Sequence, residues 1–401
     1  MIEIELSGPR GDNPLGFLAT LGVIAVLEEA GFDCRLRWKL LTPVLSWKPP
    51  AGRGRQPGTG RPVDACQMGH RRLTENETYL VRVLDDLLRR KRPDAGSRQE
   101  LEDKRKQRQR ADTAMKNKQK EIKQRRLPRE ERRRAEALEL EPLRVEWQRA
   151  QVAYLECLSR VAVDPVLSLG ENLTAKNNEW MEFVGRILQG PLNPGRRRML
   201  SLVASYGVGD PNRPDDTMLS TPWAMLRGAG HQHFLGTVQE LMIQCTFCHL
   251  AKALFGPWIP TDLKLSLRLD PAEDRRYALM AEDPTSSSNP SRSLWGANRL
   301  AFEGLVFFPA YPAHPMGLVA WRNRNRDNWL TDCEVRWPLW SEPLSPAAVR
   351  SLLRLPDLFE VGREGRRNLQ ARRVFALFKS QRILNDKYYN LTPGVAIWMA
   401  P

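Results

Sequence analysis

DNPLGFLATLGVIAVLEEAG, residues 12–31, decides how the chain begins to fold. Asp12 and Asn13 offer capping side chains, and Pro14 stands at a first helical position, where its missing N–H is harmless. The residues that follow are apolar on most faces: Leu15, Phe17, Leu18, Leu21, Val23, Ile24, Val26 and Leu27. A helix that is apolar all round has to be buried against other elements. Gly31 ends it. Upstream, Ile2, Ile4 and Leu6 alternate with Glu3 and Glu5, the period-two pattern of a half-exposed strand. Residues 34–38 and 43–47 read as the next two strands. A strand, a buried helix and two further strands open an α+β domain.

The 401 residues correspond to two or three domains at about 150 residues each. A hydrophobic fraction of 41% is enough for a sizeable core and excludes wholesale disorder. No apolar run reaches the roughly 18 residues of a membrane span, because Asp12 and Glu28 bracket the best stretch. The opening MIEIELSG lacks a basic segment followed by an apolar one, so the expected location is cytoplasmic. Six cysteines are too sparse for a disulfide scaffold, and free thiols are expected.

Charge is concentrated. Lys and Arg total 62 against 47 Asp and Glu, and residues 82–134 alone hold 21 Lys/Arg against 10 Asp/Glu. That segment accounts for +11 of the formal +15, leaving a nearly neutral body. A localised basic footprint favours a polyanionic partner, nucleic acid first. The absence of an accompanying apolar face disfavours a membrane.

The basic segment follows a Pro/Gly-rich stretch, residues 49–62, that reads as a mobile loop. Residues 74–92 read as a helix with Thr74 and Glu77 at capping-box spacing and an apolar stripe of Leu80, Val81, Leu84, Leu87 and Leu88. Residues 97–126 are helix-forming yet nearly stripe-free, with Leu101, Met115 and Ile122 as the only large apolar residues. Leu127-Pro128 breaks the pattern. Residues 129–160 resume it, with a kink expected at Pro142 and apolar residues Leu138, Val145, Val152, Leu155 and Leu158. The expected architecture is therefore α+β: a mixed, mainly helical globular body with a long basic antiparallel helical hairpin projecting from it, tip near Pro128. A thirty-residue arm spans about 45 Å. A disordered charged loop is the alternative. The organisation expected is residues 1–73 as an N-terminal α+β segment, 74–160 as the arm, and 161–401 as the body that completes the core.

Beyond the arm the pattern predicts helices over 179–188, 199–205, 234–254, 294–305, 347–355 and 369–377. Strands are expected at 263–269, 276–280, 317–321 and 334–337, with loops at 207–216 and 283–292. There is no internal repeat.

Cys245-Thr246-Phe247-Cys248-His249 matches the CxxCH haem-attachment spacing, but Val238, Leu241, Met242, Cys245 and Cys248 also form a helical core stripe. Buried helix residues are the expected reading, ahead of zinc or haem. Gly228-Ala229-Gly230-His231-Gln232-His233-Phe234 sets two histidines at a glycine turn that opens a helix. They suit capping, an anion at the free N–H groups, or a metal. Gly-x-Ser-x-Gly, Walker and HExxH patterns are absent, so no catalytic residue, cofactor or metal is assigned. RSLWGANR (292–299) and KSQRILNDKYY (379–389) mix cations with planar groups, which suits phosphates and base stacking as well as helix packing. The expected nucleic-acid contacts are Lys104, Arg105, Lys106, Arg108, Arg110, Lys116, Lys120, Lys123, Arg125 and Arg126 on the arm, with His231, His233, Asn298, Arg299, Arg382 and Lys387 on the body.

DNPLGFLATLG (12–22), GAGHQHFLGTVQEL (228–241), ALFGPW (253–258), LWGANRLAFEGL (294–305) and FKSQRI (378–383) together resemble a family encoded in type I-G (formerly I-U) CRISPR loci. It is an extension-type or large-subunit-like component that accompanies the helicase-nuclease and the Cascade backbone. The resemblance covers both ends and the middle of the chain, with the basic segment as an insertion. It implies a non-catalytic subunit of an interference complex that holds crRNA or target DNA, with target-adjacent motif recognition as one role and recruitment of the helicase-nuclease as another. A metal-dependent nuclease using His231 and His233, and a protein-protein adaptor, are the alternatives.

Overall fold

The computed structural model describes residues 1–50, 71–91, 94–161, 175–189, 193–210, 212–226, 233–273, 292–311, 317–323, 333–360, 362–385 and 388–400. The chain divides into two compact units, one formed by residues 1–90 with 171–401 and the other by residues 91–170. The fold is mixed α+β, as expected.

The first unit opens with β1 (Ile2–Glu5), α1 (Pro14–Glu29), β2 (Asp33–Lys39), β3 (Thr42–Lys48) and α2 (Glu75–Arg89). The second holds α3 (Ala95–Gln124), α4 (Arg129–Ala135) and α5 (Glu141–Val161). The first then resumes with α6 (Asn177–Leu188), α7 (Pro194–Tyr206), β4 (Gly207–Val208), β5 (Leu219–Ser220), α8 (Phe234–Gln244), α9 (Phe247–Phe255), β6 (Asp262–Leu263), β7 (Arg292–Ser293) and α10 (Trp295–Gly304). It ends with β8 (Ala310–Tyr311), β9 (Gly317–Leu318), β10 (Trp321–Asn323), β11 (Cys333–Trp340), α11 (Pro346–Leu353), α12 (Arg363–Ala371), β12 (Val374–Asn385), β13 (Tyr388–Leu391) and β14 (Val395–Met399).

α1 is buried at every position from Pro14 to Leu27, and the Asn13 side chain accepts from Gly16 N–H at its start. Its apolar surface is satisfied on several sides at once. The antiparallel sheet β1-β3-β2 lies on one side, α10 on another, and the antiparallel sheet β10-β11-β12-β13, with β14 on β12, completes the C-terminal half. Phe17, Trp38, Trp337 and Trp340 form one aromatic cluster where these parts meet. Each C-terminal indole is also satisfied by N-terminal backbone: Trp337 Nε1 donates to Gly11 O at 2.7 Å and Trp340 Nε1 to Leu36 O at 2.6 Å. The two ends of the chain thus share one core.

Several expectations are corrected. α2 belongs to the first unit rather than to the arm, because Leu80, Val81, Leu84 and Leu88 are buried in it and the unit boundary falls at residue 90. The single helix expected over 234–254 is two, α8 and α9, broken at Cys245-Thr246. Thr246 enters α9 in extended backbone, and its N–H donates to Nδ1 of His249 at 3.0 Å. The helix expected over 369–377 is instead the end of α12 followed by β12, since Val374 to Leu377 pair with Trp340 to Pro338 of β11. Residues 263–269 form no continuous strand: Lys264, Leu265 and Arg268 have positive φ. The distortion expected at Pro142 lies just before it. Residues 136–140 form a π turn, which accommodates a proline unable to donate to the carbonyl four residues back. Cys34, Cys157, Cys245 and Cys333 are free and buried, whereas Cys248 is disulfide-bonded, against the expectation of free thiols throughout. The strand expected at 276–280 and the loops at 49–62 and 283–292 lie wholly or mainly outside the described residues.

Candidate nucleic-acid interface

α3 is thirty residues long, about 45 Å at 1.5 Å per residue, and starts at Asp94, whose carboxylate accepts from Ser97 N–H at 3.0 Å. That bond and a second one from the Ser97 hydroxyl hold the Asp94 carboxyl below its usual range. α3 packs along α5 through a seam at heptad spacing. Leu101, Ala111 and Ile122 are buried on α3, and Leu140, Tyr154 and Cys157 on the partner segment, where Leu143, Trp147 and Ala150 are half-buried. Contacts between residues 108 and 154 and between 125 and 139 make the two helices antiparallel.

Part of the charge serves this packing. The Arg108 guanidinium sits 4.5 Å from the ring centroid of Tyr154, which is fully buried. Near the turn, Arg125 Nη1 bonds Glu139 at 2.6 Å, while Lys118 Nζ lies 2.8 Å from Glu121 and 3.5 Å from Glu139. The bond from Arg125 holds the Glu139 carboxyl below its usual range, and the bond to Glu121 pushes the Lys118 ammonium up. Lys116 pairs with Asp112 at 2.7 Å, and Arg105 and Lys106 stand 3.6 and 3.7 Å from Glu102.

The opposite face of α3 is different. Lys106, Gln109, Arg110, Thr113, Ala114 and Asn117 line one shallow groove. All six are exposed, and Lys120 and Gln124 continue the same stripe one and two turns further on. From Lys106 to Asn117, a run of about 17 Å, no carboxylate stands on this face; one turn further on Glu121 is exposed between Lys120 and Gln124 and pairs with Arg125 and Lys118. Lys104, Arg110, Lys120, Lys123 and Arg126 have no ion pair among the described residues. Within the groove every side chain that carries a polar group can donate a hydrogen bond, and none is aromatic. Such a surface offers charge and hydrogen-bond donors and no ring for stacking. Sequence reasoning singled out the cations but missed Gln109, Thr113 and Asn117. A helical wheel of residues 106–117 groups them with Lys106 and Arg110 in a sector without carboxylates.

Three of the body residues proposed from sequence are buried rather than exposed. Asn298 is fully buried; its Oδ1 accepts from Leu267 N–H at 2.9 Å and its Nδ2 donates to Leu294 O at 3.1 Å. Arg299 is 1% exposed and pairs with Glu303 at 2.7 Å. Glu303 also binds Arg198, which reaches Glu29 at 3.0 Å. Arg382 is 3% exposed, with its guanidinium 3.8 Å above the Tyr389 ring. Asn298, Arg299 and Arg382 are therefore interior groups, because strand and helix geometry turn them into the core, and the expectation of surface contacts there is corrected. His233 occupies the N-cap position of α8 in extended backbone, without a side-chain capping bond. His231 and Lys387 lie outside the described residues.

Cys245 and His249 of the CxxCH string fall on either side of the α8–α9 break, one as the buried C-cap of α8 and the other as the capping partner of Thr246. Among the described residues no group of three His, Cys, Asp or Glu is placed to hold a metal ion. None of the described helices is long and apolar enough to cross a membrane. No protein-family model and no curated protein matches the chain.

Proposed function

We propose that the chain is a non-catalytic, nucleic-acid-binding subunit of a type I CRISPR interference complex, acting in the cytoplasm beside the helicase-nuclease. In this reading α3 to α5 form a long basic antiparallel arm that reaches from the body, and the outer face of α3 lies along crRNA or target DNA. Target-adjacent motif recognition and recruitment of the helicase-nuclease are roles of the same assembly. The family resemblance of the body supports the setting. The acid-free, donor-rich groove from Lys106 to Asn117, continued by Lys120, carries the binding function in this reading.

The stripe is matched to a backbone by dimension and chemistry. A run of about 17 Å covers roughly five phosphates of one strand at 3.4 Å each, and Lys120 extends it by one turn. Because no aromatic side chain belongs to it, binding is expected to depend on charge and to be insensitive to sequence. The test is binding of a labelled duplex by the full chain across a salt series. Replacing Lys106, Arg110 and Lys120 together by Gln is expected to flatten the log–log slope by about 2 to 3, at roughly 0.9 per phosphate. An unchanged slope overturns the assignment of the stripe.

A further inference from the structure

The side of α5 turned away from α3 carries a second apolar series. Leu138, Val145 and Val152 are 76, 37 and 54% exposed, and they are spaced seven residues apart. Against the α5 seam of half-buried Leu143, Trp147 and Ala150 and buried Tyr154 and Cys157, Val145 and Val152 occupy the heptad position farthest from α3, and Leu138, in the π turn just ahead of α5, is exposed as well. Exposed apolar residues repeating every seven along one outer line are the pattern of a second helix-packing seam.

The charges on this line identify its partner. Reading along the exposed stripe gives Arg134, Leu138, Glu141, Val145, Arg149, Val152 and Glu156, all exposed. About Val145 the series is antisymmetric: four residues away stand Glu141 and Arg149, seven away Leu138 and Val152, eleven away Arg134 and Glu156. The flanking residues Arg144 and Glu146 obey the same rule. Antiparallel packing of this stripe on an identical one, with the two-fold axis at Val145, sets Val145 on Val145, Val152 beside Leu138, and each Glu141 on an Arg149. Any other register or a parallel arrangement breaks the match, since parallel copies oppose like charges. The isologous geometry is what a closed dimer requires.

We propose that the α5 stripe is a self-association surface, by which two copies of this chain pair antiparallel about Val145. Within each copy the acid-free groove of α3 faces the other way, so pairing leaves both nucleic-acid faces open and doubles the number of strands the assembly can hold. A dimer of two modest binding faces gains avidity without new contacts.

The experiment is sedimentation equilibrium of the full chain, free of nucleic acid, from about 1 to about 100 μM, a range bracketing weak to moderate self-association. The wild type is expected to show a concentration-dependent dimer. Glu141→Arg alone and Arg149→Glu alone each place two like-charged pairs across the axis and are expected to weaken the dimer by about tenfold or more. The double variant Glu141→Arg/Arg149→Glu restores both opposite-charge pairs and is expected to recover it. Helical circular dichroism, unchanged in all three, separates these effects from unfolding. In addition, Val145→Cys is expected to cross-link to itself with a short thiol-reactive linker, because that residue lies on the axis. A wild type monomeric throughout overturns the proposal. So does a dimer that either reversal leaves intact, or one that the double variant fails to restore, which would point to another surface or to a different protein as the occupant.

Discussion

Gly22 of α1 and Leu300 of α10 stand so close that a Cβ on Gly22 would lie 1.8 Å from the Leu300 carbonyl oxygen. The approach is reciprocal. A Cβ on Gly304 would lie 2.2 Å from the Leu18 carbonyl. Backbone meets backbone at this crossing, so no side-chain rotation relieves an added methyl. Gly22→Ala and Gly304→Ala are each expected to lower stability by at least about 1–3 kcal/mol, the usual cost of overpacking. Gly185 of α6 is the contrast, since a Cβ there meets nothing within 4 Å. Gly185→Ala should instead add about 0.4–1 kcal/mol through the unfolded state. Urea midpoints of the three variants check both signs, and equal effects at Gly22 and Gly185 would count against the crossing.

The fully buried Glu303 carboxylate joins two arginines, Arg198 and Arg299, in the interior of the first unit. Removing its charge leaves Arg299 buried without its counterion and Arg198 with Glu29 alone. Glu303→Gln is therefore expected to cost about 3–5 kcal/mol, as when one partner of a buried pair is lost. Arg299→Ala is expected to destabilise as well, while leaving the salt dependence of nucleic-acid binding unchanged in whatever folded fraction remains. Denaturant unfolding measured beside duplex binding separates the two readings of Arg299. A flattened salt slope with intact stability would return it to the binding surface.

Much of this was legible in the sequence, and the exceptions have physical causes. The apolar run from Leu15 to Leu27 announced α1 because no exposed face was left in it, and the period-two start announced β1. The strand at Val374 to Leu377 was hidden because Leu369, Val374 and Leu377 also fit helical spacing; only pairing with β11, far away in sequence, decides for the strand. The break at Thr246 escaped notice because its cap is a histidine ring, not the usual Glu at that spacing. For the site, composition located the basic segment correctly, but residue type alone did not distinguish arginines that serve packing from those that face outward. Arg299 and Asn298 were misplaced for the same reason: a buried guanidinium is intelligible only once Glu303 and Arg198 are beside it.

Burial pushes the Asp270 carboxyl up from its ordinary value of 3.8, against the N–H groups of Ala272 and Asn13 that pull it down. A raised folded-state pKa means the folded chain still holds the proton where the unfolded chain has released it. Its effect on stability is therefore most favourable below pH 3.8 and declines as the pH rises through the raised value. Asp270→Asn keeps an Oδ1 to accept from Ala272 and Asn13, both of which bond that atom, and removes the ionised form. The variant is expected to be more stable than wild type at neutral pH, with the difference shrinking toward pH 4. Unfolding midpoints across that range provide the check, and a variant less stable at neutral pH would show that the ionised carboxylate is needed.

Arg108 and Arg110 stand two residues apart on α3 and project about 160° away from each other, so the same substitution should read out two different roles. Arg108 covers the buried Tyr154 ring at 4.5 Å, whereas Arg110 is exposed in the acid-free groove and has no ion pair among the described residues. Arg108→Gln removes a cation–π contact and the stem that shields the ring, which is expected to cost on the order of 1 kcal/mol. It should leave the salt slope of duplex binding within error of wild type. Arg110→Gln should leave the melt unchanged and flatten the slope by about 0.9, the share of one phosphate. Thermal unfolding and salt-series binding on both variants give four numbers, and the crossed pattern is the expectation. If both variants flatten the slope equally, charge on α3 acts as a diffuse field, and the assignment of binding to one face of the helix fails.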